Sequence, residues 1–482
     1  MNTIVSPAIH NRVDQIPYNE VTFHPHSFGD PAGRLFWWRG ELYRGIRSEW
    51  TTTLRQLLRD GIIQRLVNGG LLIETLPTSL KIDDYEMVVS HRHVPFASYP
   101  EEWCPAMLKD AALTKIQLLT ELARYGFTLK DAHPWNILFD AWKPVYVDIS
   151  SIVSISDNTA WHGYDEFCRF YLYPLMLMAH GQDRIARRLL PELDGVSKAD
   201  VSKLTRSALG FGSMFKPISY SPSVLNQGLL QSWRKLLVHT RQALVPKESR
   251  RQETYLTSLE QLNSEVEKIS LPSVNRNSEG SVHEGNPIPP PLLHDDWTEK
   301  QRSLHKLFNE LRPASVLTIG GDMTWYCKQA AAFGSRVVSF DTNLVRVTQL
   351  YYDARNNKLP ILPLVMDFTD PTPSRGLSSH WAIAATERFP CDMVLALGLV
   401  HQIVFKRYLN FEQIGQGFAL FSKRWLVVEF VPGEDPELWQ GGSDRFSWYT
   451  LDRFMQSLRK WFRSITILPS HSQLRVLLLC EK

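Results

Sequence analysis

The sequence predicts two domains of different architecture, an α+β front part and a C-terminal open α/β sheet, and three observations carry that prediction. A chain of 482 residues is too long for one ordinary core. Residues 271–296 are rich in Ser, Asn, Gly and Pro and follow neither helical nor strand periodicity, which marks a linker. Past Pro313 the pattern changes to short apolar runs alternating with helical segments, as in an α/β sheet. The expected division is therefore a flexible N-terminus over 1–20, a first domain over 21–270, the linker over 271–296 and a second domain over 297–482.

Composition narrows the function classes. The 53 basic and 50 acidic residues leave a formal charge of only +3, which gives no general drive toward nucleic acid or anionic membrane. The five cysteines lie far apart, without CxxC spacing or a neighbouring His cluster, so reduced thiols are expected rather than a zinc site. The first residues lack the basic start and apolar run of a signal peptide. The longest apolar run, YLYPLMLMA at 171–179, is about half the ~18 residues that span a bilayer. A cytoplasmic protein without a membrane span is expected.

In the second domain, ASVLTIGG is a short strand closing on two glycines, DMTWYCKQAAAFG a helix, and SRVVSFD a strand ending on Asp341, 21 positions past Gly320. Strand, glycine turn, helix, strand and acid make a βαβ unit of a nucleoside-binding, Rossmann-like sheet. Glycines let the backbone approach a ligand, and a carboxylate at the second strand end can accept both ribose hydroxyls. LPILPLVMDF ends a third strand near Asp367, whose carboxylate can pair with an adenine amino group. PCDMVLALGLVHQI and RWLVVEFV give a fourth and a fifth strand, and ITILPS with LRVLLLCE a closing pair.

These segments resemble the class I methyltransferases that use S-adenosylmethionine, and more closely a bacterial nodulation-protein group, that of NoeA. The resemblance implies a class I methyltransferase fold and an S-adenosylmethionine site at Thr318, Gly320, Gly321, Asp322, Asp341 and Asp367. Thr318, Gly320, Asp322 and Thr324 stand where the family has an acid and three alternating glycines, so one glycine is in register. Gly321 relaxes the turn, and Asp322 lies close enough to replace the missing acid. Methyl transfer asks mainly for alignment and exclusion of water. Where the acceptor is protonated, His401 after the fourth strand and Glu429 at the end of the fifth are the candidate bases; a histidine among apolar residues also suits a core or helix-start position.

In the first domain, GFTLKDAHPWNILFDAWKPVYVDISSI places Asp131 five positions before Asn136, and Asp148 twelve beyond it. This resembles the catalytic loop and metal-binding Asp of the protein-kinase and aminoglycoside-phosphotransferase superfamily. The resemblance implies a kinase-like α+β domain in which Asp131 faces a hydroxyl while Asn136 and Asp148 hold magnesium beside ATP. The departures are large: no GxGxxG loop and no VAIK-like lysine appear, Leu129 replaces the catalytic-loop histidine, and Ser150 stands at the glycine of DFG. Arg44, on the second of two early strands in GRLFWWRGELYRGIRSEW, reads as an exposed strand arginine or a phosphate contact. A degenerate scaffold is the expectation for this domain.

RQLLRDGIIQRLVNGG reads as one amphipathic helix. The histidine pairs His24 and His26, and His91 and His93, lack the carboxylate or thiol spacing of a metal site. The expected activity is methyl transfer from S-adenosylmethionine to an unidentified acceptor, with the front domain as scaffold or substrate-binding module. The rivals are an ATP- and magnesium-dependent phosphotransferase and a noncatalytic scaffold. The acceptor and the oligomeric state are not encoded in any residue pattern.

Overall fold

The computed structural model describes residues 15–27, 29–155, 161–205, 247–272, 296–321, 323–379, 381–433, 446–471 and 474–482. Most of the expected N-terminal segment and of the 271–296 linker lies outside them. The chain forms two compact units, Met1–Val94 with Lys109–Leu138 and Val145–Ser270, and Pro95–Leu108 with Phe139–Pro144 and Leu271–Lys482.

The first unit begins with a five-stranded antiparallel sheet, β1 (Thr22–Phe23), β2 (Gly33–Trp38), β3 (Glu41–Ile46), β4 (Thr75–Pro77) and β5 (Met87–His91), in the order β1-β2-β3-β5-β4. The β2–β3 hairpin turns on Arg39 and Gly40, both at positive φ (50° and 82°), as a two-residue hairpin demands. Phe36, Trp38 and Val88 on one face pack with Ile16 and Ile82. Arg44 stands opposite Val89, and Leu42 opposite His91, on the other face.

The stretch expected as one helix is two, α1 (Ser48–Arg59) and α2 (Ile62–Asn68). Gly61 at φ 70° separates them, because a residue in the left-handed region ends an α-helix. Next along the chain come α3 (Pro105–Ala123), whose first four residues fall in the second unit, the short strands β6 (Phe127–Leu129) and β9 (Ile152–Ser154), which pair, and the hairpin β7 (Ile137–Asp140) and β8 (Lys143–Tyr146), whose residues 139–144 also fall in the second unit. Helices α4 (Tyr164–Phe167) and α5 (Tyr173–Ala179) join through a π-helical stretch, Cys168–Leu172. The apolar run at 171–179 is there because Tyr171, Leu172 and Pro174 through Met178 are all buried. Helices α6 (Asp183–Leu189), α7 (Lys198–Leu204) and α8 (Lys247–Lys268) complete the unit, the last burying Tyr255, Leu259, Leu262 and Val266.

The second unit opens with α9 (Glu299–Leu311), whose capping box joins Thr298 to Gln301. Its seven strands are β10 (Ser315–Ile319), β11 (Arg336–Asp341), β12 (Ile361–Val365), β13 (Cys391–Ala396), β14 (Ser422–Phe430), β15 (Ser464–Leu468) and β16 (Val476–Glu481). They form one sheet in the order β12-β11-β10-β13-β14-β16-β15. The first five are parallel, and β16 inserts antiparallel between β14 and β15. The unit is thus an open, mostly parallel α/β sheet with one reversed strand, as the alternating pattern of the sequence predicts. Helices α10 (Thr324–Ala332), α11 (Leu344–Asn357), α12 (Ala385–Arg388), α13 (Val400–Arg407), α14 (Phe411–Phe421) and α15 (Leu451–Leu458) connect and follow the strands. The largely apolar β10, β11 and β13 runs are explained by burial on both faces.

Segments 95–108 and 139–144 belong to this unit, a division that the sequence did not suggest. Trp103 meets Phe139 edge-to-face at 5.0 Å, and Phe139 meets Tyr351 at 6.1 Å. Arg388 makes a buried two-nitrogen ion pair with Glu102 and stacks over the Tyr99 ring at 3.9 Å. All five cysteines are buried and none forms a disulfide. Among the described residues no helix is long and apolar enough to cross a membrane.

Candidate functional site

Strand order in the second unit grows outward from β10 to β12 and then returns to β13 on the other side of β10. The order therefore reverses between β10 and β13, and open α/β sheets bind ligands outside the C-terminal strand ends at such a reversal. Glycines line that reversal on both sides. Gly320 and Gly321 follow β10 at φ 68° and 69°, and Gly398 follows β13 at φ 60°. The Gly320 N–H donates to the Phe340 carbonyl at 2.7 Å, extending the ladder by one residue. A Cβ at Gly320 would lie 3.1 Å from Leu399 Cδ1, so a side chain there is opposed by both conformation and space.

The predicted cofactor residues occupy different places around this edge. Thr318 is fully buried, and its hydroxyl pairs with Cys327 Sγ at 3.3 Å, so its polar atom is spent on α10. Asp322 lies outside the described residues. Asp341 ends β11 and is 7% exposed. Its Oδ1 accepts the Asn343 N–H at 2.8 Å and Arg346 Nη2 at 3.2 Å, and its Oδ2 accepts Arg346 Nε at 2.7 Å. Asp367, two residues past β12, accepts the Thr369 N–H and hydroxyl on Oδ1 (2.8 and 2.7 Å) and Arg407 Nη2 on Oδ2 at 2.5 Å.

Glu429, near the end of β14, is 1% exposed and takes Lys300 Nζ of α9 at 2.8 Å. Its Oε2 stands 3.8 Å from where a Gly398 Cβ would be, so the carboxylate faces the same edge. His401 is the second residue of α13 and is half-buried. The structure thus puts Gly320, Gly321, Asp341, Asp367, Glu429 and His401 on strand ends or the turns and helix start that follow them.

In the first unit, Asn136 Nδ2 donates to Asp131 Oδ1 at 2.9 Å. Asp148 Oδ1 accepts three donors, Arg44 Nη1 at 3.1 Å, the Ser150 N–H at 3.1 Å and the Ser150 hydroxyl at 2.5 Å. Arg44 Nη1 also reaches Asp30 Oδ2 at 2.9 Å. Reading Arg44 as an exposed strand arginine is therefore wrong: it is 6% exposed and sits among two carboxylates and a hydroxyl. Burial alone would raise the Asp148 carboxyl, but Arg44, Ser150 and Lys130 outweigh it and hold the group below the usual range. Asp131 is raised by burial, against an opposing pull from Lys115.

Sequence reasoning missed Lys115. It is fully buried on α3, donates to the His133 carbonyl at 3.2 Å, and lies over the Tyr146 ring at 4.8 Å. Burial pulls it down to about 8. The same cause takes His91 to about 3 and His133 to about 4. No His, Cys, Asp or Glu group of three or more among the described residues is arranged to hold a metal ion.

No protein-family model matches the chain. Among solved structures, the bifunctional kinase-methyltransferase WbdD overlaps 38% of this chain and 38% of its own, at 12% identity and a TM-score of 0.29. The N-methyltransferase NodS from Bradyrhizobium japonicum WM9 overlaps 39% of this chain and 97% of its own, at 12% identity and a TM-score of 0.27. Magnesium protoporphyrin IX methyltransferase from Synechocystis PCC 6803, solved with bound SAH, overlaps 38% and 81%, at 12% identity and a TM-score of 0.27. The chain therefore spans about two fifths of WbdD's own length. Over nearly its whole length the chain is similar to nodulation protein NoeA of Rhizobium meliloti (strain 1021), with 24% identity across 455 residues that cover 91% of this chain and 92% of that protein.

Proposed function

We propose that the second unit binds S-adenosylmethionine at the strand reversal and transfers its methyl group to an acceptor whose identity is open, with the first unit as scaffold or substrate-binding module. The observation that carries this reading is the pairing of the left-handed Gly320–Gly321 turn with the buried Asp341 carboxylate at the end of the adjacent strand. Those residues fit an adenosyl group: Gly321 is exposed backbone without a side chain, and Asp341 offers acceptors for a ribose diol. Asp367 is assigned to the adenine side. When bound, the cofactor supplies an electrophilic methyl, so the protein has only to align the acceptor and keep water out.

For a protonated acceptor, His401 is the assigned base. Glu429 is paired with Lys300 at 2.8 Å and is assigned to positioning that lysine. In the first unit Asp148 Oδ1 is held by three protein donors, one of them a buried guanidinium, so the carboxylate is paired within the protein without magnesium. This favours a scaffold over an ATP-dependent phosphotransferase.

Equilibrium dialysis with labelled S-adenosylmethionine tests the proposal. Wild-type protein is expected to retain label, and Gly320→Val to lose it while keeping the wild-type circular dichroism spectrum. Retention equal to wild type in Gly320→Val would remove the glycine turn from the site; no retention by wild type at millimolar cofactor would sink the methyltransferase reading.

A further inference from the structure

Two glycines at the strand reversal stand beside oxygens. Apart from adjoining residues, a Cβ at Gly321 would have one described neighbour within 4 Å, the Leu397 carbonyl oxygen at 3.6 Å, and a Cβ at Gly398 would meet only Glu429 Oε2, at 3.8 Å. Both glycines are in the left-handed region, at φ 69° and 60°, so conformation disfavours a side chain there and its absence leaves the two oxygens uncovered. Glu429 is 1% exposed, and a carboxylate so buried needs its charge met. Lys300 Nζ meets it on Oε1 alone, at 2.8 Å, and no described residue donates to Oε2. A lysine ammonium carries three N–H donors, and Lys300 gives one to Glu429 from a side chain 17% exposed, with no other described partner. The pair therefore presents an unused acceptor and unused donors side by side.

We propose that Glu429 and Lys300 together bind the amino-acid end of the cofactor, Glu429 Oε2 accepting from its α-ammonium and Lys300 Nζ donating to its α-carboxylate. This rests on the methyltransferase reading. Position suits the assignment: Asp341 lies on the β11 side of the Gly320–Gly321 turn and Glu429 on the β13–β14 side, so a ligand with its ribose on Asp341 crosses the turn toward the pair. Thr318 cannot supply the contact, because it has no carboxylate and its hydroxyl is spent on Cys327. Charge selects the ligand class. A simple amine at Oε2 would set two cations against one buried carboxylate, and a simple acid at Lys300 would set two anions against one cation. An α-amino acid brings both charges on one carbon, closes an alternating array of two cations and two anions, and adds no net charge. Hydrogen bonds between charged groups of this kind are the strong ones.

The test is calorimetric titration of the full chain with three probes: S-adenosylhomocysteine, its deaminated analogue, which keeps the carboxylate, and 5′-methylthioadenosine, which lacks the whole amino-acid end. Wild type, Glu429→Gln, Lys300→Gln and the double variant are compared. Glu429→Gln should weaken S-adenosylhomocysteine about tenfold or more, the size of a hydrogen bond to a charged group, and leave the deaminated analogue and methylthioadenosine unweakened. Lys300→Gln should weaken both ligands that carry the carboxylate and spare methylthioadenosine, whose binding reports an intact adenosyl site in each variant. Where a single variant loses methylthioadenosine through misfolding, the double variant, which leaves no charge unpaired, carries the comparison: its preference for S-adenosylhomocysteine over methylthioadenosine should be about tenfold or more below that of wild type. If wild type binds these two probes equally, or the variants keep the wild-type preference, the pair does not hold the amino-acid end and the proposal fails while the cofactor reading stands. If Glu429→Gln weakens the deaminated analogue as much as S-adenosylhomocysteine, the ammonium contact is refuted. If wild type binds neither S-adenosylhomocysteine nor methylthioadenosine, the cofactor reading itself fails and takes this proposal with it.

Discussion

Replacing Arg44 with Met removes the only positive charge bonded to both Asp30 and Asp148 among the described contacts, while keeping the length and apolar stem of the side chain. Arg44 is 7% exposed at its side chain, Asp30 is 19% and Asp148 17%, so little solvent is at hand to take over. Breaking a buried pair by removing one partner costs about 3–5 kcal/mol, because the other charge stays behind uncompensated. Asp148 keeps its Ser150 N–H and hydroxyl bonds, which places the expected loss toward the lower end of that range.

The pH dependence separates this cause from a packing defect. In the wild type the Asp148 carboxyl is held below its usual range, so its contribution is present at neutral pH and is lost as pH falls through that lowered value. Without Arg44 the burial effect, the largest single influence on this group, pushes the carboxyl upward instead. The variant is then penalised above the raised value and regains stability as pH falls through it. Hydrogen exchange of the β3 and β5 amides, measured for Arg44→Met and wild type at pH 8 and pH 5, reads the local difference. A gap of about 3 kcal/mol at pH 8 that shrinks at pH 5 is expected. A gap under about 1 kcal/mol, or one that does not change with pH, would refute the charge argument.

Other outcomes follow from the same geometry. Arg388→Met should destabilise the second unit by about 3–5 kcal/mol, since the Arg388 and Glu102 side chains are 3% and 1% exposed; faster exchange at residues 97–102, ahead of the β14 core, would be its signature. His91, fully buried and lowered to about 3, binds no proton in the folded chain at pH 4.5, where the unfolded chain does. Stability of the first unit should therefore fall as pH drops below about 6.5, and His91→Gln should weaken that dependence; equal acid sensitivity in the variant would assign the effect elsewhere. Lys115, lowered to about 8, works in the alkaline window. The unfolded chain holds the extra proton between that value and the ordinary lysine range, so Lys115→Met should abolish a gain in stability expected on raising pH from 8 to 10.

The second unit was legible because its signals are local. The apolar run of β10 closing on Gly320 and Gly321, the Gly334 stop before β11, and the position of Asp341 at the end of β11 all sit within a few residues of what they control. The partners of the site carboxylates were not legible. Lys300 and Glu429 are 129 residues apart, and Arg407 and Asp367 are 40 apart, with nothing in either stretch to tie them. Arg346 left a faint trace, five residues past Asp341 in the first turn after the Asn343 cap, where a long basic side chain can reach back to the strand end. The first unit was harder. Its Asp131, Asn136 and Asp148 spacing was visible, but the burial of Arg44 depends on Asp30 and Ser150, 14 and 106 positions away. The split of one expected helix at Gly61 follows from a left-handed residue that helical periodicity cannot register. Glu102 meets Arg388 only across 286 residues, so the membership of segment 95–108 had no sequence signal at all.

The most direct measurement of the central claim is calorimetric titration of the full chain with S-adenosylmethionine, repeated on Asp341→Ala. A carboxylate bonded to ribose hydroxyls contributes about 1.5–3 kcal/mol, so micromolar binding that weakens tenfold or more in the variant is the predicted result. Binding of equal strength in Asp341→Ala, or no heat from the wild type at millimolar cofactor, would contradict it.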